Sequence, residues 1–171
     1  MYQWHFTIAC LISLSCYPSF QPRVIHNGYL STEVEVGILN NTQDLIGTIT
    51  YLQIPFSIYI LHSFFIDPAF RNKGYGTRLL EHVIQLITKR SPRLILVQPG
   101  PFELKNGQVQ NLTPGPGREQ YLHKITAFYA RNGFQPAPSV LRKFSHLLYR
   151  IIGINEDPQY LMTIRPKKKH K

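Results

Sequence analysis

The tightest constraint on this chain lies between Ile58 and Val97. An apolar, aromatic run from Ile58 to Ile66 stops at Asp67-Pro68, and glycines come next at Gly74 and Gly76. Beyond them Leu79, Leu80, Val83, Ile84, Leu86 and Ile87 fall on one side of a helix with a period of about 3.6 residues. Lys89 and Arg90 fill the last turn, where the helix dipole favours cations, and Ser91-Pro92 stops it. Leu94-Ile95-Leu96-Val97 is then a short continuous apolar run, as a buried strand shows. Strand, helix and strand in about 40 residues predict a right-handed parallel crossover.

The flanking segments add antiparallel strands. Glu33-Val34-Glu35-Val36-Gly37-Ile38 alternates polar and apolar residues, Asn40-Asn41 marks a turn, and Leu45 to Ile54 is rich in β-formers. Residues 1–32 have weak periodicity and read as an N-terminal segment holding at most a shortened first strand or helix region. Pro99 to Gly117 contains four prolines and four glycines and reads as a structureless loop, a length that often signals function. Glu119 to Asn132 predicts a helix with Tyr121, Leu122, Ile125 and Phe128 on one face and Gly133 as its C-terminal cap. Phe144 to Ile152 reads as a last strand. The expected fold is mixed α/β: a mostly antiparallel twisted sheet with one parallel βαβ crossover, flanked by helices. Its main domain covers residues 33–155, with a basic tail over 156–171.

Composition sets the outer limits. In 171 residues, 43% apolar and 12% aromatic content suffices for one packed domain and excludes a wholly disordered chain. Lysine and arginine number 19 against 9 acids, a formal charge of +10, which points to an anionic partner. Residues 141–171 hold eight of those cations against two acids, ending in the run Arg165-Pro166-Lys167-Lys168-Lys169-His170-Lys171. Two cysteines, Cys10 and Cys16, make neither a disulfide framework nor a zinc pattern. Phe6 to Cys16 is too short to span a bilayer, which takes about 20 residues. No lysine or arginine precedes it, as a secretory signal would require, so the expectation is a cytoplasmic chain without a membrane span.

The chemistry points to Arg71-Asn72-Lys73-Gly74-Tyr75-Gly76-Thr77-Arg78. The segment leaves a strand and opens a helix, where first-turn N–H groups lack partners and the helix dipole attracts an anion. Glycines permit close approach of the backbone, and Arg71, Lys73 and Arg78 add charge. A pyrophosphate-bearing ligand is the physical inference. The dinucleotide fingerprint fails because Leu79 stands where its third glycine belongs, and no Gly-Lys-Ser/Thr tripeptide makes a P-loop.

Arg71-x-x-Gly74-x-Gly76, with Phe128-Tyr129-Ala130-Arg131-Asn132-Gly133-Phe134 ending a later helix, resembles the GNAT superfamily, the Gcn5-related N-acetyltransferases. The resemblance runs from about Glu33 to Ile152. It implies that main-chain groups of Phe64, Phe65 and Ile66 bind the pantetheine arm of acetyl-CoA, the cosubstrate. It also implies that Arg71, Asn72, Lys73, Gly74, Tyr75, Gly76 and Thr77 form the pyrophosphate cradle, and that Tyr129 protonates the departing thiolate. Leu61 to Ile66 is similar as well to the corresponding strand of serotonin N-acetyltransferases, where a histidine at the place of His62 is implicated in deprotonating the amine. Two departures stand out. Leu122 and His123 occupy the region where many relatives carry an asparagine. The stretch before Glu33 is short for the family's first strand and two helices, which commonly wall the acceptor site.

The implied activity is acetyl transfer to a primary amine, on a small molecule or a protein or peptide, by direct attack in a ternary complex without a metal. The protein is expected as a monomer or homodimer. An inactive coenzyme A-binding module is the alternative. A nucleic-acid binder is the third reading, but core packing accounts for the aromatic residues better than a stacking surface does. Glu103 reads as a solvated acid of the long loop. The histidines at 5, 26, 82, 123 and 146 form no ligand spacing, and His82 and His123 are expected on helix surfaces.

Overall fold

Val34, Val36 and Ile38 alternate with other residues along Thr32–Leu39, and all three are buried on one face of the folded strand. This strand is β2 of a computed structural model that describes residues 18–27, 31–100, 102–105, 108–111, 115–152 and 160–164. β1 (Ser19–Asn27), β2, β3 (Leu45–Ile54) and β4 (Ile58–Ile66) pair antiparallel in succession. Between β2 and β3, Asn40 Oδ1 accepts from the Thr42 and Asp44 backbone N–H groups, which fixes the expected turn. Helix α1 (Tyr75–Thr88) returns the chain, and β5 (Leu94–Val97) lies parallel to β4. β9 (Met162–Ile164) joins β5, and β8 (Gln135–Pro136) joins β9, giving the order β1-β2-β3-β4-β5-β9-β8. The expected mixed α/β architecture with one parallel pair is therefore present.

The period-2 pattern divides the core between the two faces of the sheet. Tyr59, Leu61, Ile95 and Val97 pack with α1, whereas Ile60 and Leu96 pack with Leu52, Ile54 and Leu161 on the other side. A helix of 14 residues is marginal alone in water, so α1 depends on its buried stripe of Leu79, Leu80, Val83 and Ile87. Each such side chain contributes about 1.5–3 kcal/mol on burial. The helix ends where Ser91 takes a positive φ of 54° before Pro92, and Arg90 Nη1 donates to Gln53 Oε1 of β3 at 2.9 Å.

Three segments differ from the sequence reading. Phe144 to Ile152 is not a strand but the second half of α3 (Ser139–Ile152). Val140, Leu141, Phe144, Leu147, Leu148 and Ile151 recur at intervals of three and four, and this helical spacing overrides the β-preference of the individual residues. Pro99 to Gly117 is not structureless, because β6 (Phe102–Lys105) and β7 (Gln108–Asn111) form a two-stranded antiparallel hairpin. Every proline and glycine of that segment lies outside the two strands, and the sequence between them, Asn106-Gly107, is the dipeptide that tight hairpin turns favour. Finally, β1 fills most of the unassigned N-terminal segment that remains among the described residues. The cysteines, the side chain of Glu103 and the terminal lysines lie outside the residues described. Among the described residues, no helix is long and apolar enough to cross a membrane.

His123 is exposed as expected, but His82 is half-buried. Its ring stacks on Phe20 of β1 with centroids 4.0 Å apart and planes within 7°. Burial, with a smaller effect from Lys89, holds the His82 pKa below the usual 6.5. The unfolded chain therefore binds the proton more readily, so this histidine withdraws stability as pH falls below about 6.5. His82→Phe keeps a stacking ring and removes the titration; its melting temperature is expected to fall less than that of the parent between about pH 7.5 and pH 5.5. Leu80, fully buried, gives a second test. Leu80→Ala is expected to lower unfolding free energy by about 2–5 kcal/mol in urea titrations.

Candidate active site

β4 has two neighbours for only half its length. Its parallel pairing with β5 runs from Ile58↔Leu94 to Leu61↔Val97 and stops there, whereas its pairing with β3 continues to Ile66↔Gly47. The two central strands therefore part at His62 and Gln98 and open a fork. His62 is also the extra residue of a β-bulge: Leu61 pairs with Tyr51 and Ser63 with Thr50, leaving His62 without a partner on β3. A bulge bends its strand and re-aims its side chains. The His62 side chain is partly exposed and has no hydrogen-bond, ion-pair or ring partner among the described residues.

Backbone groups alternate sides along the rest of β4. The Phe65 carbonyl points toward β3, since a Cβ placed on Gly47 would lie 2.6 Å from it, and the Asp67 N–H donates to Ile46 O of β3 at 2.9 Å. By alternation, the backbone N–H and C=O of Phe64 and Ile66 face the fork. Arg71 Nε donates to the Ile66 carbonyl at 2.9 Å, bracing the turn beyond it.

That turn is held locally. The Asp67 carboxylate accepts from the Ala69 N–H at 2.8 Å, and a short 3-10 turn over Pro68–Phe70 leads into two left-handed residues, Asn72 (φ 61°) and Gly74 (φ 82°). Gly74 is the N-cap of α1 and has no side chain to offer, so no side-chain cap forms. The first intrahelical bond runs from Arg78 N to Gly74 O at 3.1 Å, which leaves the N–H groups of Tyr75, Gly76 and Thr77 without helical acceptors. A Cβ at Gly74 would meet nothing within 4 Å, so the space in front of the helix is open. Gly76 is different: a Cβ there would stand 3.3 Å from the Phe64 ring, so this glycine seats α1 against β4. Arg71, Lys73 and Arg78 are exposed around the opening, with Arg71 over the Phe65 ring and Lys73 Nζ 5.5 Å from the centre of Phe70. Open N–H groups, a helix dipole and three cations favour an anion at this helix start. Beside it, a cleft of about 350 Å³ is lined by Pro18, Asn40, Asn41, Thr42 and Tyr75.

The second motif closes helix α2 (Pro116–Arg131). Gly133 adopts φ 87°, its N–H donates to Ala130 O at 3.0 Å, and the Phe134 N–H donates to Tyr129 O at 3.1 Å. These two bonds are the Schellman termination, which a left-handed glycine permits and an apolar residue after it seals. Phe134 seals it against Tyr129 itself, with ring centres 5.5 Å apart. Tyr129 also lies 6.4 Å from the ring of Phe64, so the helix ending is docked on the fork strand. It is 4% exposed, and its hydroxyl has no hydrogen-bond partner among the described residues. Burial above all, then the neighbouring Tyr121, pushes its pKa well above the usual 10.

The fold thus gathers the sequence candidates at one junction: His62 in the bulge, Phe64 to Ile66 on the fork edge, Arg71 to Thr77 around the helix start and Tyr129 above Phe64. Sequence reasoning missed Gln98, which opposes His62 at the mouth of the fork and is nearly buried. Its only signal was the end of an apolar run. It also missed Thr126, one helical turn before Tyr129, whose buried hydroxyl has no partner among the described residues. No group of three or more metal-ligating side chains occurs among the described residues.

Comparison with known proteins agrees with this geometry. Among solved structures, a GNAT-family acetyltransferase of Staphylococcus aureus is similar at a TM-score of 0.51 and 16% identity, over 79% of this chain and 68% of its own. A candidate acyl-CoA N-acyltransferase of Klebsiella pneumoniae is similar at the same score and identity, over 78% and 72%. At that identity the likeness concerns the fold alone. No curated protein matches the sequence. The sequence model of the acetyltransferase (GNAT) family matches residues 12–99, just over half of the chain. The chain therefore belongs to the GNAT family of acetyltransferases.

Proposed function

We propose that the protein transfers an acetyl group from acetyl-CoA to a primary amine within a ternary complex. The observation that carries this reading is the junction of β4 and α1. There a strand edge without a neighbour among the described residues runs into an uncapped helix N-terminus flanked by Arg71, Lys73 and Arg78. An arm bearing amides suits such an edge, and a pyrophosphate suits such a helix start. Coenzyme A has both, and a Cβ placed on Gly74 would meet nothing within 4 Å, so the helix start is unobstructed there. The backbone groups of Phe64 and Ile66 would hold the arm, whereas those of Phe65, expected to share this role, are turned to β3; Arg71, Asn72, Lys73, Gly74, Tyr75, Gly76 and Thr77 would hold the pyrophosphate. Bound there, acetyl-CoA supplies an activated thioester carbonyl.

The chain's own groups then divide the work. An alkylamine with a pKa of about 10 must lose a proton before attack. Imidazole exchanges protons well at neutral pH, and His62 at the fork accepts that proton directly or through water. The Ile66 N–H faces the fork and donates to the oxygen that gains charge. Tyr129 is held in its neutral form by burial. With a pKa above about 10, it is a weaker acid than a thiol at about 8.5, so it serves by donating a hydrogen bond to the sulfur.

A second reading rests on one observation. β1 ends at Asn27 and β2 begins at Thr32, so four residues stand where relatives commonly place the two helices that wall the acceptor site. On that reading the chain binds coenzyme A without turnover.

Acetyl-CoA titrated calorimetrically into the full chain is expected to bind with a Kd between about 1 µM and 1 mM; no heat across that range overturns both readings. An amine panel read by thiol release separates them, since release above the blank requires catalysis. Where release occurs, Tyr129→Phe is expected to lower kcat by about tenfold or more and leave the acetyl-CoA Kd within about threefold. An unchanged kcat removes Tyr129 from the mechanism.

A further inference from the structure

Helix α3 carries an apolar stripe that the fold does not use. Its inner side is satisfied: Leu141 packs against the cluster of Leu52, Ile60 and Leu96, and Ser145 is fully buried. Val140, Phe144 and Leu147, spaced by four and three, share another strip of the helix and are 75%, 45% and 58% exposed. Isolated exposed apolar residues are ordinary, but three large ones aligned on one helix mark a contact surface.

Charge limits what that contact can be. α3 contains Arg142, Lys143 and Arg150 and no acid; Lys143, three residues from Val140 and four from Leu147, is exposed beside the stripe, and Arg142 is exposed on the opposite side of the helix. Two copies of this helix would bring like charges together, which disfavours self-association. A helix with an apolar strip, a purely cationic polar side and no acid matches a surface that is apolar below and anionic above. A bilayer rich in acidic lipids is such a surface. An exposed helix presents a convex ridge rather than a groove, which suits a plane better than the side chains of a partner protein.

We infer that α3 docks the protein on an anionic phospholipid surface, with Val140, Phe144 and Leu147 entering the headgroup region and Lys143 at its flank meeting lipid phosphates. Long cationic side chains lay their stems along the apolar boundary while keeping their charge in the headgroups. One amphipathic strip holds weakly by itself, and stable attachment takes two signals. The run Arg165-Pro166-Lys167-Lys168-Lys169-His170-Lys171 supplies a second, with five further cations.

The test is co-sedimentation of the full chain with vesicles of phosphatidylcholine, with and without about 30 mol% phosphatidylserine. Binding is expected on the acidic vesicles, at least about tenfold tighter than on the neutral ones, and weakened by salt. Val140→Glu and Phe144→Glu are each expected to weaken it about tenfold or more, with circular dichroism and melting unchanged because both side chains are exposed. Removal of residues 167–171 is expected to weaken binding without abolishing it. Several outcomes overturn the inference: no preference for acidic vesicles, binding unaffected by both glutamate variants, or binding that the tail alone provides. A dimer in sedimentation velocity that Phe144→Glu dissolves, without vesicle binding, assigns the stripe to a second copy instead. Retention on polyglutamate that Phe144→Glu abolishes, again without vesicle binding, assigns it to an acidic polypeptide.

Discussion

The site depends on a missing set of hydrogen bonds. Buried backbone N–H and C=O groups must find partners, and a strand in the middle of a sheet normally finds them on both sides. β4 does so only as far as Leu61, after which β5 departs and one edge faces an open fork. The bulge at His62 directly follows Leu61, the last residue paired with β5, so the strand bends where its second neighbour is lost. Every other element of the site is arranged around that edge: Arg71 takes the final carbonyl, α1 begins where the strand ends, and α2 sets Tyr129 over Phe64.

An open edge is stable only on a rigid support. Four fully buried α1 residues clamp the helix beneath β2, β3 and β4, so its unsatisfied N-terminus is held in place without a cap. Gly76 lets α1 approach Phe64 closely, and the same ring meets Phe128 and Tyr129 from α2. One phenylalanine of β4 therefore links the strand to α1 and α2. The Tyr129–Gly133–Phe134 ending has a structural explanation, because Gly133 and Phe134 terminate α2 in the conformation that fixes Tyr129.

What could be read in the sequence was local. The alternation of Val34, Val36 and Ile38, the stripe from Leu79 to Ile87 and the glycine turn each arise from neighbours close in the chain. So does the capping role of Gly133. What could not be read was either relational or ambiguous. No residue type announces the bulge at His62, which arises from the register of two strands. Gln98 matters only because β5 stops beside it. Phe144 to Ile152 is full of β-formers, and only the longer window back to Val140 shows the helical spacing. In the stretch from Pro99 to Gly117, counting prolines and glycines concealed the hairpin that their positions allow.

The sheet order also has a consequence in time. β1 to β4 join through short turns and can zip together as they emerge. The outer edge of β5, by contrast, waits for β9: the Thr163 hydroxyl that donates to Ile95 O comes from 68 residues further along. During synthesis, those 68 residues must be made before that edge is covered, and Ile95, Leu96 and Val97 stay open to pairing with a foreign strand. Contacts so distant in sequence form late and slowly. A strand only three residues long, β9, is thus the one that decides when a nascent chain stops being vulnerable.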